Sequence, residues 1–226
     1  MVTSVTPSAT SPEQTAASDA QKNGVVLIDS LVTATEKYSG TGIVIDSSGL
    51  VLTNHHVVDD PDAPLQVVLP LTGEVFSAEV LGHDAANDIA LLRMQGASGL
   101  NTAAIDNDAV VPGDEVTAIG NAEGAGTLMA ATGELLAIDQ EVTTGDGAGS
   151  LRTLTGTYQT SCRALHGYSG GPNYDSEGEV IGLTVAGGSA THEDYTTSYV
   201  VPISTAVAIA NQIRQNSPTG SIVMGP

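Results

Sequence analysis

The sequence predicts an all-β protein that closes with one helix, and three observations carry that prediction. Its apolar residues fall in short runs rich in Val, Ile, Leu and Thr, the types that suit a pleated strand, and each run is bounded by Gly, Asp, Asn or Pro. Aromatics make up only 3% of the chain and Trp is absent, while there are 26 Gly, so the core must be aliphatic and the connections are turns. A helical spacing of apolar residues emerges only near the C-terminus, after Pro202.

Residues 1–22 are mostly Thr, Ser, Ala, Pro and Gln with almost no large apolar side chain, and are expected to form a disordered arm. Ordered structure is expected from about Asn23. In a first half, residues 23–96, strands are expected at 24–28, 41–46, 50–53, 65–71, 74–82 and 89–94. Ser47-Ser48-Gly49 turns the second of these into the third, and Pro61, Asp62 and Pro64 hold a loop. The Gly/Ser/Asn-containing stretch 96–107 is the boundary. The second half, residues 97–216, has expected strands at 115–120, 128–139, 151–160, 179–186 and 198–202, with a Gly/Asp loop at 143–149. Ala206, Ile209, Ala210 and Ile213 then lie on one face of a helix, with Ser204 as its N-cap, and 217–226 is a tail.

Composition narrows the function. The length of 226 residues allows one or two domains, and no apolar run is long enough to span a bilayer as a helix. Six Lys and Arg against 26 Asp and Glu give a net charge of −20. Such a surface disfavours nucleic acid and anionic membranes as partners. The single cysteine, Cys162, excludes an intrachain disulfide and reads as a small buried side chain. Met1 is not followed by a charged segment and an apolar core, so the protein either stays inside the cell or has a leader or anchor outside this chain.

Three short stretches carry chemistry. Gly167-Tyr168-Ser169-Gly170-Gly171-Pro172 sets one serine among glycines, where the backbone can come close to a ligand and aim N–H groups at one point. Thr53-Asn54-His55-His56-Val57 follows the end of an expected strand, and Asn87-Asp88 precedes the apolar run Ile89-Ala90-Leu91-Leu92. A serine hydroxyl needs an adjacent base; imidazole is that base near neutral pH, and a carboxylate fixes its tautomer. His56, Asp88 and Ser169 supply these in the order His, Asp, Ser, at separations of 32 and 81 residues. That order is the one found in chymotrypsin-type proteins. His55 is a competing base beside His56. Gly167–Gly171 also fits the G-x-S-x-G elbow of α/β-hydrolases, but a Pro-Asn-Tyr-Asp turn and a strand follow instead of a helix. The only downstream histidine, His192, falls in a polar loop. His83, His166 and His192 have no ligand spacing with Cys162, so neither a metal nor a cofactor is expected.

These motifs, together with Thr41-Gly42-Ile43-Val44-Ile45-Asp46 and the run from Gly113 to Asn121, resemble the protease domain of HtrA/DegP-type trypsin-like serine proteases over residues 24–213. The resemblance implies two six-stranded antiparallel β-barrels with the site in the cleft between them. It implies His56 as general base, Asp88 as its orienting carboxylate, Ser169 as nucleophile, and the N–H groups of Gly167 and Ser169 as the oxyanion hole. It further implies an endopeptidase acting on polypeptides outside the cell or in a bacterial cell envelope. The specificity pocket would have Arg163 at its floor, six residues before the serine, and Thr184, Val185, Ala186 and Gly187 as walls. Two pockets are open: Arg163 facing inward selects acidic side chains, and Arg163 turned outward leaves a small slot for Val, Ala or Leu. Tyr168 stands where the family usually has Asn, and Ser161 where it often has Asp. The PDZ domain usual in the family has no room in the roughly ten residues after the helix. Tyr168 motivates a second reading, a catalytically idle polypeptide-binding sensor.

Overall fold

A computed structural model describes residues 14–31, 37–60, 62–145, 151–187 and 196–225. The strands are β1 Thr15–Ala16, β2 Val25–Leu31, β3 Lys37–Asp46, β4 Leu50–Thr53, β5 Leu65–Val68, β6 Val75–Asp84, β7 Ile89–Met94, β8 Glu115–Asn121, β9 Leu128–Gly145, β10 Leu151–Thr160, β11 Pro172–Tyr174, β12 Val180–Gly187, β13 Ser198–Pro202 and β14 Ile222–Met224. The helices are α1 Asp19–Lys22 and α2 Ile203–Arg214. His192, the Gly/Asp loop beyond Gly145 and the first part of the expected arm lie outside the described residues.

Strands β2 to β7 form a closed antiparallel barrel in the order β6-β5-β2-β3-β4-β7, closed by pairing of β6 with β7. Its interior takes side chains from all six strands, among them Val26, Ile28, Val44, Val51, Val67, Ala90 and Leu92. The opposite faces of β2, β3, β4 and β7 are buried as well. Val25, Leu27, Ile43, Leu52, Ile89 and Leu91 join a larger cluster with α2 and the second sheet. Burial on both faces explains why β4 and β7 read as continuous apolar runs and not as an alternation. The second sheet runs β9-β10-β13-β12-β11-β8, and β8 pairs back onto β9 to make a ring. Val116, Ala118, Ala131, Leu135, Cys162, Ala164, Tyr168 and Ile181 fill it. Helix α2 buries Ala206, Ile209, Ala210 and Ile213, the face set by the sequence spacing.

Four expectations need correction. Within the expected arm, residues 14–22 are structured: β1 pairs with β9, Ala17 is buried, and Ser18 and Gln21 form a capping box on α1. Backbone pairing and one small docked side chain suffice there, so the lack of large apolar residues is no sign of disorder. The tail is also paired, with β14 lying along β6 opposite Gly82, His83 and Asp84. The stretch after Gly171 is strand β11, inserted between β12 and β8, and not a turn. Pro172 is tolerated because it is the first residue of that strand. Finally, α2 begins two residues earlier than the Ser204 cap requires. Pro202 occupies the N-cap position without a side-chain hydrogen bond. Each end of the described chain thus adds a strand to the sheet of the other half.

A chain beginning at Gly24 loses the β1–β9 pairing, the buried Ala17 and the hydrogen bond from Gln14 Nε2 to the Arg163 carbonyl. The expected loss is about 2 kcal/mol, or ~4–8 °C in Tm for a protein of this size. Scanning calorimetry of the trimmed and full chains checks this; equal melting temperatures would show that the docked arm adds no stability.

Candidate active site

Strand β4 ends at Thr53, and after Asn54 the chain makes one 3₁₀ turn, His55–Val57. The loop before β7 comes to meet it. The Asp88 carbonyl accepts from Asn54 Nδ2 at 3.0 Å and from the His55 N–H at 3.2 Å. The Asp88 carboxylate then takes the next residue by two atoms: Oδ1 accepts from the His56 N–H at 3.0 Å, and Oδ2 lies 2.6 Å from His56 Nδ1. Asp88 has φ 55°, a left-handed conformation that Asp tolerates better than most side chains. Asp84 shapes this loop, accepting from the N–H groups of Ala86 and Asn87, from Asn87 Nδ2 and from Ser221 Oγ. The C-terminal strand β14 therefore braces the loop that carries Asp88.

Burial alone would push the Asp88 carboxyl up. The His56 imidazole and the Arg152 guanidinium, which bonds Oδ1, outweigh it and hold the carboxyl below the usual carboxylate range. An ionised Asp88 can only accept, so His56 Nδ1 carries the proton of that bond. His55 does not share this arrangement. Its ring stacks on His83 with centroids 4.2 Å apart, and its Nδ1 is buried without a partner. Burial, with His83 adding to it, lowers the His55 pKa. Of the two neighbouring histidines, the one whose ring nitrogen meets Asp88 is His56.

The glycine turn docks against the first barrel through Thr41, a fully buried residue of β3. Thr41 N–H donates to the Ser169 carbonyl at 2.9 Å, and its Oγ1 donates to the Gly167 carbonyl at 2.7 Å while accepting from the Asn121 N–H at 2.9 Å. Thr53 Oγ1 donates to the Thr41 carbonyl at 2.7 Å, linking this clamp to the strand that leads into His56. Gly167 and Gly170 have φ 88° and 79°; a side chain would overlap the Asn121 carbonyl at the first and the Thr41 carbonyl at the second. Tyr168 points away from this junction. Its ring is fully buried against Gly120, with its hydroxyl unpartnered and pushed well above the usual phenol range by burial. Among the described residues no hydrogen bond joins Ser169 Oγ to His56.

Behind the turn, Gly170 N–H donates to the Thr184 carbonyl and Thr184 N–H to the Gly171 carbonyl, both at 2.9 Å. Thr184 and Val185 are buried, and Ala186 and Gly187 are half-buried beyond a bulge in the β12–β13 ladder. Arg163 is exposed, so its guanidinium does not form a buried floor. Cys162 is fully buried and its thiol is pushed up by burial, which fits packing and not nucleophilic attack. At the other end of β12, Asp106, Asp175 and Glu179 place carboxylate oxygens within 4.8 Å of one another. Sequence reasoning missed Thr41 as a clamp and Arg152 as a partner of Asp88. Thr41 stood inside a quoted motif but only as a strand residue. Nothing local marks Arg152, which lies 64 positions from the carboxylate it meets.

Residues 40–183 match the family model described as a trypsin-like peptidase domain. The chain is 31% identical over 183 residues to a probable periplasmic serine endoprotease DegP-like protein of Pseudomonas putida, covering 78% of this chain and 35% of that protein. It is 30% identical over 195 residues to the serine endoprotease DegS of Escherichia coli, covering 82% of this chain and 50% of that one. The chain thus spans half or less of the length of these two relatives. Among solved structures, an HtrA-type protease with a tripeptide superposes with a TM-score of 0.73 at 25% identity, covering 85% of this chain and 60% of that one. The matched domain takes in Asp88, Ser169 and the Thr41 clamp that docks the glycine turn beside His56, and the chain belongs to the trypsin-like peptidase family, with HtrA/DegP-like serine endoproteases as its relatives.

Proposed function

We propose that the protein is a serine endopeptidase that works through His56, Asp88 and Ser169. The observation that carries this reading is the pairing of His56 Nδ1 with the buried Asp88 carboxylate at 2.6 Å, next to a glycine turn docked by Thr41. With Nδ1 protonated, Nε2 takes the proton of Ser169 Oγ as that oxygen attacks the substrate carbonyl. The N–H groups of Gly167 and Ser169 stabilise the oxyanion, His56 returns the proton to the leaving amine, and water hydrolyses the acyl-enzyme by the same route. The relative named as periplasmic supports placing this activity in a cell envelope or outside the cell. Among the described residues no helix is long and apolar enough to cross a membrane. An idle polypeptide-binding sensor draws on the unmade bond between Ser169 Oγ and His56. Catalytic hydrogen bonds are often long before substrate binds, and Tyr168 is fully buried in the second sheet's core while Ser169 stays partly exposed.

A fluorophosphonate probe labels Ser169 and fails to label the Ser169→Ala variant; silence in the folded wild type supports the sensor. His56→Ala lowers turnover by ~10⁶, and retention of more than about a tenth of the rate would transfer the base role to His55.

Thr41→Val, which keeps the shape and removes Oγ1, takes the short bond from the Gly167 carbonyl and leaves it only the Asn121 N–H at 3.3 Å. It should lower kcat about tenfold or more with KM little changed, and Thr41→Ser should restore most of the rate. Equal losses in both variants would mean that the hydroxyl is not the operative group.

The exposed Arg163 and the small side chains of Val185, Ala186 and Gly187 support cleavage after small aliphatic residues. Cleavage-site profiling should give the same aliphatic preference for wild type and Arg163→Ala. Loss of an acidic preference in the variant would restore Arg163 to the pocket, and strong cleavage after Lys would overturn both pockets.

A further inference from the structure

Arg152 has no step in acyl transfer, yet it holds the carboxylate on which the proposed base depends. It sits near the start of β10, paired in the ladder with Thr144 of β9, on the hairpin of the second sheet. From there its Nη1 crosses to Asp88 Oδ1, in the loop before β7 of the first barrel. The Asp88 side chain is 1% exposed and that of Arg152 is 22% exposed, so water screens this pair poorly. Cations are scarce in a chain with six Lys and Arg against 26 Asp and Glu, and one of them is placed on the single carboxylate that also bonds His56.

We propose that Arg152 is a positioning residue that acts through Asp88, holding the carboxylate ionised and sharing its charge with His56, and so setting the pH at which His56 becomes a free base. This rests on the reading of His56 as the base. The physical argument concerns two cations and one anion. A lone buried carboxylate beside an imidazole favours the imidazolium, because the pair is then neutral. A guanidinium already on that carboxylate supplies the neutralising charge, and the imidazole gains less from taking a proton. Arg152 therefore lowers the pH at which His56 gives up its proton, and its removal raises it. Other groups face the same region. His55 stands beside Asp88 with His83 stacked on it, both pushed toward the neutral form by burial, while the charges of Asp59 and Asp84 act on His55 and His83 respectively. None of these is hydrogen-bonded to the Asp88 carboxylate among the described residues, so Arg152 and His56 are the two groups that divide it.

The test needs a readout that a merely structural arginine would not move. In wild type, Arg152→Gln and Arg152→Lys, the acid limb of kcat/KM reports the free base. Arg152→Gln should move that limb to higher pH by about half a unit or more, and Arg152→Lys should leave it near the wild-type position. A fall in plateau rate with an unmoved limb would overturn the proposal, since that is what loosening the hairpin alone produces. Arg152→Met, which keeps much of the apolar stem, repeats the comparison should the Gln variant fold poorly. A second measurement is independent of turnover. In the Ser169→Ala background the low-field proton between His56 Nδ1 and Asp88 identifies the His56 ring by NMR. Its titration midpoint should rise by a similar amount when Arg152→Gln is added, and an unchanged midpoint overturns the proposal. A wild type that the fluorophosphonate probe leaves unlabelled, with a midpoint that still moves, would sink the peptidase reading and leave the electrostatic link standing.

Discussion

One buried threonine joins the glycine turn around Ser169 to the first barrel. Thr41 binds the Gly167 and Ser169 carbonyls and the Asn121 N–H from one sheet, and its own carbonyl is held by Thr53 from the other. Four polar contacts at one buried residue satisfy the Thr41, Gly167 and Ser169 carbonyls and the Thr41 and Asn121 N–H groups, where an unmet bond would be costly. The clamp fixes the height of the glycine turn against β3. Since Thr53 is the residue just before Asn54 and the histidine pair, it also fixes the turn relative to His56. Glycines at 167 and 170 are what permit so close an approach, because any side chain there would occupy the space of a carbonyl.

The second constraint is electrostatic. A fully buried carboxylate in a protein of net charge −20 is held in an unfavourable field, and it persists only because it is saturated with donors. Asp88 receives the His56 N–H, His56 Nδ1 and Arg152, while its carbonyl receives Asn54 and His55. The left-handed backbone of Asp88 is tolerable in this setting, as the loop is over-determined by Asp84 and its four donors. The acidic surface and the scarce cations together make the placement of Arg152 informative.

The two halves are also tied by their chain ends. β1 extends the second sheet and β14 extends the first, and α2 packs over strands of both. Strand β14 runs beside His83 and Asp84, so the end of the described chain supports the loop of Asp88 directly, with Ser221 bonding Asp84. Both ends thereby pack against the junction between the sheets, whose shared cluster runs from Ala17 to Ile213 with Ile222 and Met224 against it.

The sequence by itself determined the kind of element at nearly every long apolar run. β4, β7, β10 and β13 begin and end where their turn residues lie, and the buried face of α2 follows its spacing. It also singled out the three residues on which the proposed chemistry rests, because His56, Asp88 and Ser169 sit in short motifs whose residue types and order are local information. Only the tertiary structure decided the rest, for a physical reason common to each case. β1, β11 and β14 are two or three residues long and owe their form to a partner strand, so neither propensity nor periodicity marks them. The choice between His55 and His56 turned on which ring faces Asp88, and adjacent residues cannot be told apart by composition. Whether Arg163 is buried or exposed, and whether Arg152 meets solvent or a carboxylate 64 positions away, is set by the path of the chain between the two sheets. Long-range ion pairs leave no local signature, since a charged side chain reads the same in the sequence whether its partner is water or a buried aspartate.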